Sequence, residues 1–534
     1  MKEINRRALL QLGGAAGVGV ALSKSESNAQ PFLSTFVYPK NPDDPERLPA
    51  GEQRSVLIVG GGLAGLSAAL ELAERGYSVT LREADEVFGG RLATRPIDTR
   101  EGRFQVEHGL HMWFDNYHVF KDIRARLGID DYFREYSGVH FTFRDYEDEV
   151  LLSEPPIYPL NLINLLARSP NFNLFSAFRQ LGLLGPIAFY NHENVYERFD
   201  DVSFAEWGKQ NVSKKFYDII LQPAASVTLN DPEKVSAAEM IMFMHFFFMG
   251  QPKAMNREVT TVDHGQAVID PWVARLDSLG VELRLKDPVP GLRFQGDRVI
   301  GAVDDEREYD AVILASEVGG TQRILEGSQG EDERGEAFID SLRVGMGALK
   351  TAPPYKVLRA WFDRALDEKH PDILETPQHP PINLVVQFHQ LEEESRRWAA
   401  ERGGGACLEF HLYSREEYAA MSDEETLELL MPTALELFPE LAEAQLLDYT
   451  VGSYHNFTSY EVGQGRLRPW SSTPRDVGLQ NLSFAGDWVR TDYPSALMER
   501  AVCTGREAAN HILLDDRVRQ ATLEVTASYG PGLV

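Results

Sequence analysis

Val56 to Val59 is an unbroken apolar run of strand length, with glycines next at 60, 62 and 65 and an apolar helical pattern from Leu63 to Ala73. Such a run predicts a short strand, feeding directly into a helix. Gly76 ends the helical pattern, and Ser78 to Arg82 reads as a second strand with Glu83 at its end. VELRLKDPV (Val281–Val289), RVIGAVDD (Arg298–Asp305) and Tyr309 to Ser316 read as three further strands separated by turn residues, predicting a meander. Met240 to Gly250, MIMFMHFFFMG, is apolar around its whole circumference if helical, which places it in a core or against lipid or an oily ligand. Asn481 to Val489 reads as a strand running into Gly486 and Asp487, and Ser495 to Leu514 as a long helix. Leu151 to Phe189 alternates proline, asparagine and apolar residues, and no repeat of fixed period is visible.

The order strand, G-x-G-x-x-G turn, helix, second strand, acid is that of a dinucleotide-binding unit. Gly60 permits the tight turn, Gly62 lets the backbone approach a pyrophosphate, and Gly65 lets helix and strand pack closely. The helix entry at Leu63 and Ala64 offers free N–H groups and a positive dipole end to phosphates. Glu83 has the spacing of an acid that accepts hydrogen bonds from ribose hydroxyls.

After Glu83 the chain reads ADEVFGGRLATR, whose Gly89, Gly90 and Arg91 resemble the G-G-R extension of the amine oxidase and carotene desaturase superfamily of flavoproteins. NLSFAGDWV with YPSALMERAVCTGREAANHIL resembles that superfamily's C-terminal motif, in which an aspartate bonds the ribityl chain and a helix N-terminus faces the flavin carbonyl. The resemblance implies FAD as cofactor, held by Gly60, Gly62, Leu63, Ala64, Gly65, Glu83, Gly89, Gly90, Arg91, Gly486, Asp487, Leu497 and Met498. A helix dipole there favours the negative charge that gathers on a reduced flavin.

Three segments bear on the reaction. VEHGLHMWFDNYHVF (Val106–Phe120) resembles a carotene-desaturase segment that passes beside the flavin, which implicates Gly109 and His111. YKVLRAWFDRAL (Tyr355–Leu366) resembles a strand of plant-type phytoene desaturases, and the C-terminal motif runs close to theirs with one residue inserted and Arg500 in place of a usual glycine. Amine oxidases usually place an aromatic residue before the Met-Glu pair, as one wall of a cage around the substrate nitrogen; this chain has Leu497. Lys356 occupies the position of an amine-oxidase lysine that holds a water near the flavin, or is a strand residue with its charge exposed. His111 is the candidate for flavin contact or proton acceptance, or else a packed histidine shaping the pocket.

The expected activity is therefore FAD-dependent desaturation of a carotenoid or other long isoprenoid, with an apolar tunnel, a quinone or O2 as acceptor, and a peripheral membrane contact. An exported amine oxidase releasing hydrogen peroxide is the alternative, and a non-catalytic flavin or lipid carrier is a third reading. The thirteen histidines show no zinc-type spacing, so no metal site is expected. A net charge of −28 argues against nucleic acid as a partner.

Arg6 and Arg7 precede an apolar stretch from Ala8 to Leu22, with small residues up to Ala29, and resemble a twin-arginine export signal that delivers a folded, cofactor-loaded protein outside the cytoplasm. Cys407 and Cys503 make no disulfide framework. The expected layout is α/β. Residues 1–30 are the signal and 31–54 an arm; 55–140, 260–322 and 475–515 form a discontinuous Rossmann-like FAD-binding domain. Residues 141–259 and 323–474 form an α+β substrate-binding domain, and 516–534 a tail.

Overall fold

The computed structural model describes residues 34–152, 160–173, 185–251 and 253–530; the segment expected to be an export signal lies outside them, as do parts of the proline- and asparagine-rich stretch. The first apolar run becomes strand β1 (Ser55–Val59), and it sits at the middle of a five-stranded parallel sheet. Across that sheet the order is β6 (Glu282–Arg284), β2 (Ser78–Arg82), β1, β7 (Ala311–Leu314) and β13 (Leu482–Phe484).

Alternation along β1 separates two cores. Val56 and Ile58 face helices α1 (Leu63–Glu74) and α5 (Leu497–Asp515) in one apolar cluster. Leu57 and Val59 face the opposite side, where the 292–295 and 298–302 strands and helix α3 (Glu333–Gly347) supply the second cluster. The expected meander is not what forms. Glu282–Arg284 and Ala311–Leu314 join the parallel sheet on opposite sides of β1 and β2, whereas Arg298–Ala302 pairs with Leu292–Gln295 in a separate sheet. The reason is polarity: the two sheet strands run parallel to β1 and β2, which requires crossovers, and only the 292–302 pair has the two-residue connection of a hairpin.

A second sheet of seven strands has the order β12 (Leu446–Tyr454), β8 (Tyr355–Phe362), β11 (Ala406–Leu412), β10 (Leu384–Gln387), β9 (Ile373–Glu375), β3 (Val139–Phe141) and β4 (Glu149–Leu151). Its parity is clean. Leu358, Ala360, Phe362, Leu408, Phe410 and Leu412 turn to helix α4 (Asp423–Leu437), while Trp361, Cys407, Leu384 and Val386 turn the other way. Helix α4 opens with Ser422 and Glu425 in a reciprocal capping box.

The apolar segment at 240–250 forms helix α2 (Ala237–Met244) continued by a wider π-type turn, His245–Met249, and nearly all of it is buried. Residues of the two chain ends also meet: Thr35–Val37 pairs antiparallel with Leu523–Val525. Among the described residues, no helix is long and apolar enough to cross a membrane.

Candidate active site

Gly65 explains how α1 comes so close to its strand. A Cβ there would lie 1.9 Å from the carbonyl oxygen of Gly60, so only glycine allows the contact. Gly62 has a different job. The nearest atom to a Cβ on it would be Gly90 Cα at 3.9 Å, so the two glycines face each other across a gap that side chains would fill. Gly89 and Gly90, with φ of +113° and +59°, hold the second loop in that position. Neither α1, with Gly62 as N-cap, nor α5, with Ala496 as N-cap, carries a side-chain cap. Uncapped first turns leave backbone donors and positive dipole ends free for an anion.

Both helix entries open on one cavity of about 1360 Å³, beyond the roughly 300–1,000 Å³ usual for a single small ligand. Gly60, Gly62, Leu63, Ala64, Glu83, Gly89, Gly90, Arg91, His111, Gly486, Asp487, Leu497 and Met498 all line it. Gly65 and Gly109 do not; Gly65 is packed against Gly60, and Gly109 lies against the His411 imidazole. The glycine cradle, the two uncapped helices and Glu83 fit the dinucleotide implied by the resemblance. Glu83 accepts from the Gly61 and Asp85 N–H groups at 2.6 and 2.9 Å, which fixes its carboxylate at the end of β2.

The motifs at opposite ends of the chain touch. Arg91 Nη2 donates to Asp487 Oδ1 at 2.5 Å, Thr458 donates to the other Asp487 oxygen, and the guanidinium lies 4.8 Å from the Phe457 ring centre. Burial opposes the charge on Arg91, but Asp487 keeps it firmly protonated. The C-terminal motif enters its helix through Leu497 at φ +51°, a conformation costly for a branched side chain. Arg500 is buried beneath that turn. It donates to the Ser495 and Asp487 carbonyls and pairs with Glu239 at 2.8 Å, which Arg468 also contacts.

His111 Nδ1 lies 2.9 Å from the Gly109 carbonyl, so this nitrogen carries the proton and Nε2 is left as an acceptor. No described residue bonds Nε2. Burial, with the neighbouring His264, holds the imidazole neutral down to about pH 3. Behind it Glu107 accepts from the His264 backbone at 2.5 Å and lies 2.8 Å from His264 Nδ1; burial would raise its pKa, yet these contacts hold it at about 2.

Lys356 lies elsewhere. It shares the α4 face of β8 with Leu358 and Ala360, and its ammonium donates to the Met421 carbonyl and to Ser453 Oγ at 2.9 and 2.7 Å. It is 2% exposed and does not line the cavity, so neither the flavin-side water nor the exposed charge describes it. Sequence reasoning assigned no role to His108, Tyr413, Tyr454, Glu375 or Arg257, all of which line the cavity. The His108 and Tyr454 rings pack with centres 4.0 Å apart and planes tilted by 48°, two residues brought together only by the tertiary fold.

The family model of flavin containing amine oxidoreductase matches residues 63–513. A carotenoid phi-ring synthase of Streptomyces griseus is 30% identical over 89% of this chain and 90% of its own length. A chloroplastic/chromoplastic 15-cis-phytoene desaturase of Glycine max is 23% identical over 87% of this chain and 80% of its own. Among solved structures, a redesigned triple mutant of putrescine oxidase superposes with a TM-score of 0.62 at 17% identity, over 87% of this chain and 99% of that one, which shows a shared fold.

Proposed function

This chain belongs to the flavin-containing amine oxidoreductase family and is an FAD-dependent oxidoreductase related to carotenoid phi-ring synthases and phytoene desaturases, and from that premise we propose that it desaturates a carotenoid or another long isoprenoid. The observation that carries this reading is continuity. One cavity runs from the glycine cradle into a compartment walled by Ile219, Ile220, Phe243, Met244, Phe247 and Phe248. A hydrocarbon offers almost no hydrogen-bond handles, so its affinity must rest on apolar area, at about 25 cal/mol per Å² buried. At the position where amine oxidases place an aromatic cage wall, Leu497 offers an amine no π-face. The relatives' names favour a carotenoid, and the phi ring of one of them favours oxidation at a ring-bearing end.

FAD, when bound, supplies the two-electron acceptor that takes up a hydride from the substrate. The chain presents the saturated C–C unit, excludes water and receives the proton lost from the neighbouring carbon. His111 is suited to that last task, because its Nε2 faces the cavity as a lone-pair acceptor while Gly109 fixes the tautomer. Burial and the nearby His264 disfavour the imidazolium, and Glu107 offsets them in part as it forms. Asp487 and Arg91 hold each other at the meeting of the two cofactor motifs.

Val150 and Val227 are exposed and line the cavity, which supports entry of the substrate from a lipid phase, where a quinone acceptor would also dissolve. Export through the twin-arginine-like segment is part of the same reading, and fusing residues 1–30 to a reporter tests it. The central test is anaerobic mixing of the flavin-loaded protein with carotenes, other long isoprenoids and amines, monitoring loss of oxidised-flavin absorbance. Bleaching by a polyene and not by amines is expected, slowed at least about 100-fold in His111→Ala with FAD still bound. Bleaching by amines alone would overturn the reading.

A further inference from the structure

Resting on the isoprenoid reading, the cavity wall contains one feature that a plain hydrocarbon leaves unexplained. Glu375, at the end of β9, lines the cavity among Ile373, Leu384, Phe141 and Leu151, and among the described residues its carboxyl has no hydrogen-bond partner. Across the same compartment Arg257, the first residue of strand β5 (Arg257–Thr260), is 6% exposed. One of its terminal nitrogens donates to the Leu151 carbonyl at 3.0 Å, its Nε is buried with no partner, and no described carboxylate lies within ion-pair distance. A carboxyl group and a guanidinium therefore share a greasy chamber with no ion pair between them. Burying an unpaired polar group is unfavourable, and more so when it is charged, and nothing among the described residues accounts for keeping both.

Register gives the position. Val357, His411, Leu384, Glu375, Phe141 and Glu149 are direct partners across six adjacent strands and so point to one face. Glu375 is two strands from His411, about 10 Å at the usual spacing of neighbouring strands. His411 in turn is the residue against which Gly109 packs, beside the His108–His111 segment. A long ligand with its reacting carbon near His111 therefore extends past Glu375 and Arg257.

We propose that Glu375 and Arg257 form a recognition station for an oxygen atom carried by the isoprenoid, a hydroxyl or keto group, some way along the chain from the reacting carbon. A hydroxyl accepts from the guanidinium and donates to the carboxylate, and a keto oxygen accepts from Arg257 and from a protonated Glu375. An ammonium group is disfavoured by the neighbouring guanidinium. A pure hydrocarbon leaves both groups unsatisfied.

The test titrates the FAD-loaded protein, in detergent, with β-carotene and with its 3-hydroxy derivative, reading quenching of tryptophan fluorescence. The expected result is at least about 10-fold tighter binding of the hydroxylated polyene. That preference should fall to below about 2-fold in Glu375→Leu and in Arg257→Met, with β-carotene affinity kept or improved. Glu375→Gln, which retains a donor and an acceptor, should keep part of the preference and guards against a folding defect in the other two. Equal binding of both polyenes by the wild type overturns the oxygen station and leaves the carotenoid reading standing. Binding of neither overturns both.

Discussion

Replacing Gly505 by alanine tests whether the cofactor site depends on how closely α1 and α5 approach. Gly505 is buried in α5, and a Cβ there would lie 2.2 Å from the Ala64 carbonyl oxygen and 3.0 Å from Ser67 Cβ. Ser67 Oγ also donates to the Val502 carbonyl at 2.8 Å, so the two helices are bonded as well as packed at this level. A carbon beside a carbonyl oxygen needs about 3.3 Å, so the helices must part by about 1 Å. The atom met is backbone, in the first turn of α1, and cannot rotate away. Overpacking of this kind costs about 1–3 kcal/mol, against about 1 kcal/mol gained from alanine's helix propensity. Ala64 lines the cavity two residues from Gly62, so the displacement moves one helix entry relative to the other. The surplus of up to about 2 kcal/mol should appear as FAD affinity weakened by up to roughly 30-fold. Titrating the apoprotein with FAD and measuring the flavin-to-protein ratio after gel filtration gives the answer. Gly345→Ala is the control: it lies in α3 with nothing within 4 Å of its would-be Cβ, and should stabilise slightly. If Gly505→Ala binds FAD within 2-fold of wild type, the close approach is not what aligns the site.

Lys356→Met should leave the rate of flavin reduction, and of its reoxidation by O2, within about 2-fold of wild type, since the ammonium faces α4; a larger loss in stopped-flow traces would return it to the cavity. Arg500→Gly removes one of the two guanidiniums on buried Glu239 and should cost about 3–5 kcal/mol, read as a lower denaturation midpoint. An unchanged midpoint would mean Arg468 suffices. Glu375 has its pKa pushed up to about 8 by burial, only partly offset by Arg257, against 4.5 ordinarily. A carboxyl raised on folding holds its proton in the native state, so its contribution is greatest below about pH 4.5 and declines as pH rises towards 8. Wild type should therefore lose stability relative to Glu375→Gln across that interval, by a few kcal/mol at most, in denaturation curves taken from pH 5 to 9. A difference that does not vary with pH would refute the burial.

The cofactor half of the molecule was readable because its chemistry is local. Gly60 and Gly65 meet each other within the same tight turn, and Glu83 closes the same unit. The long-range features were not. Gly505 looks like an ordinary helix glycine until α1 is placed beside it, and the 298–302 strand departs from the expected meander because its partner is the 292–295 strand. Strand β8 is buried on both faces, so its polar residues carry no outward signal of which side they take. Arg359 and Lys356 are three positions apart and point to opposite faces, one to Glu409 and one to Met421.

That opposition shows how a site for an apolar substrate can be surrounded by charge. Glu107, Glu392 and Glu409 gather around Arg359 on the cavity side of the seven-stranded sheet, with His264 and His411 between them. Three buried acids facing one guanidinium cannot all ionise cheaply, and burial together with Glu107 pushes Glu392 towards its neutral form. Glu409 is held ionised against its burial by Arg359 and His411. The charge is thus spent inside the wall, on partners that fix His264, His411 and, through Gly109, the loop carrying His111. The surface left facing the substrate is apolar apart from a few groups such as His111, Tyr413, Glu375 and Arg257. If the network serves only to hold that loop, Glu392→Gln, which keeps the neutral form, should leave the rate of flavin reduction unchanged, whereas Glu409→Gln, which leaves Arg359 unpaired, should slow it; equal effects from the two would show that the acids act on the substrate through their charge.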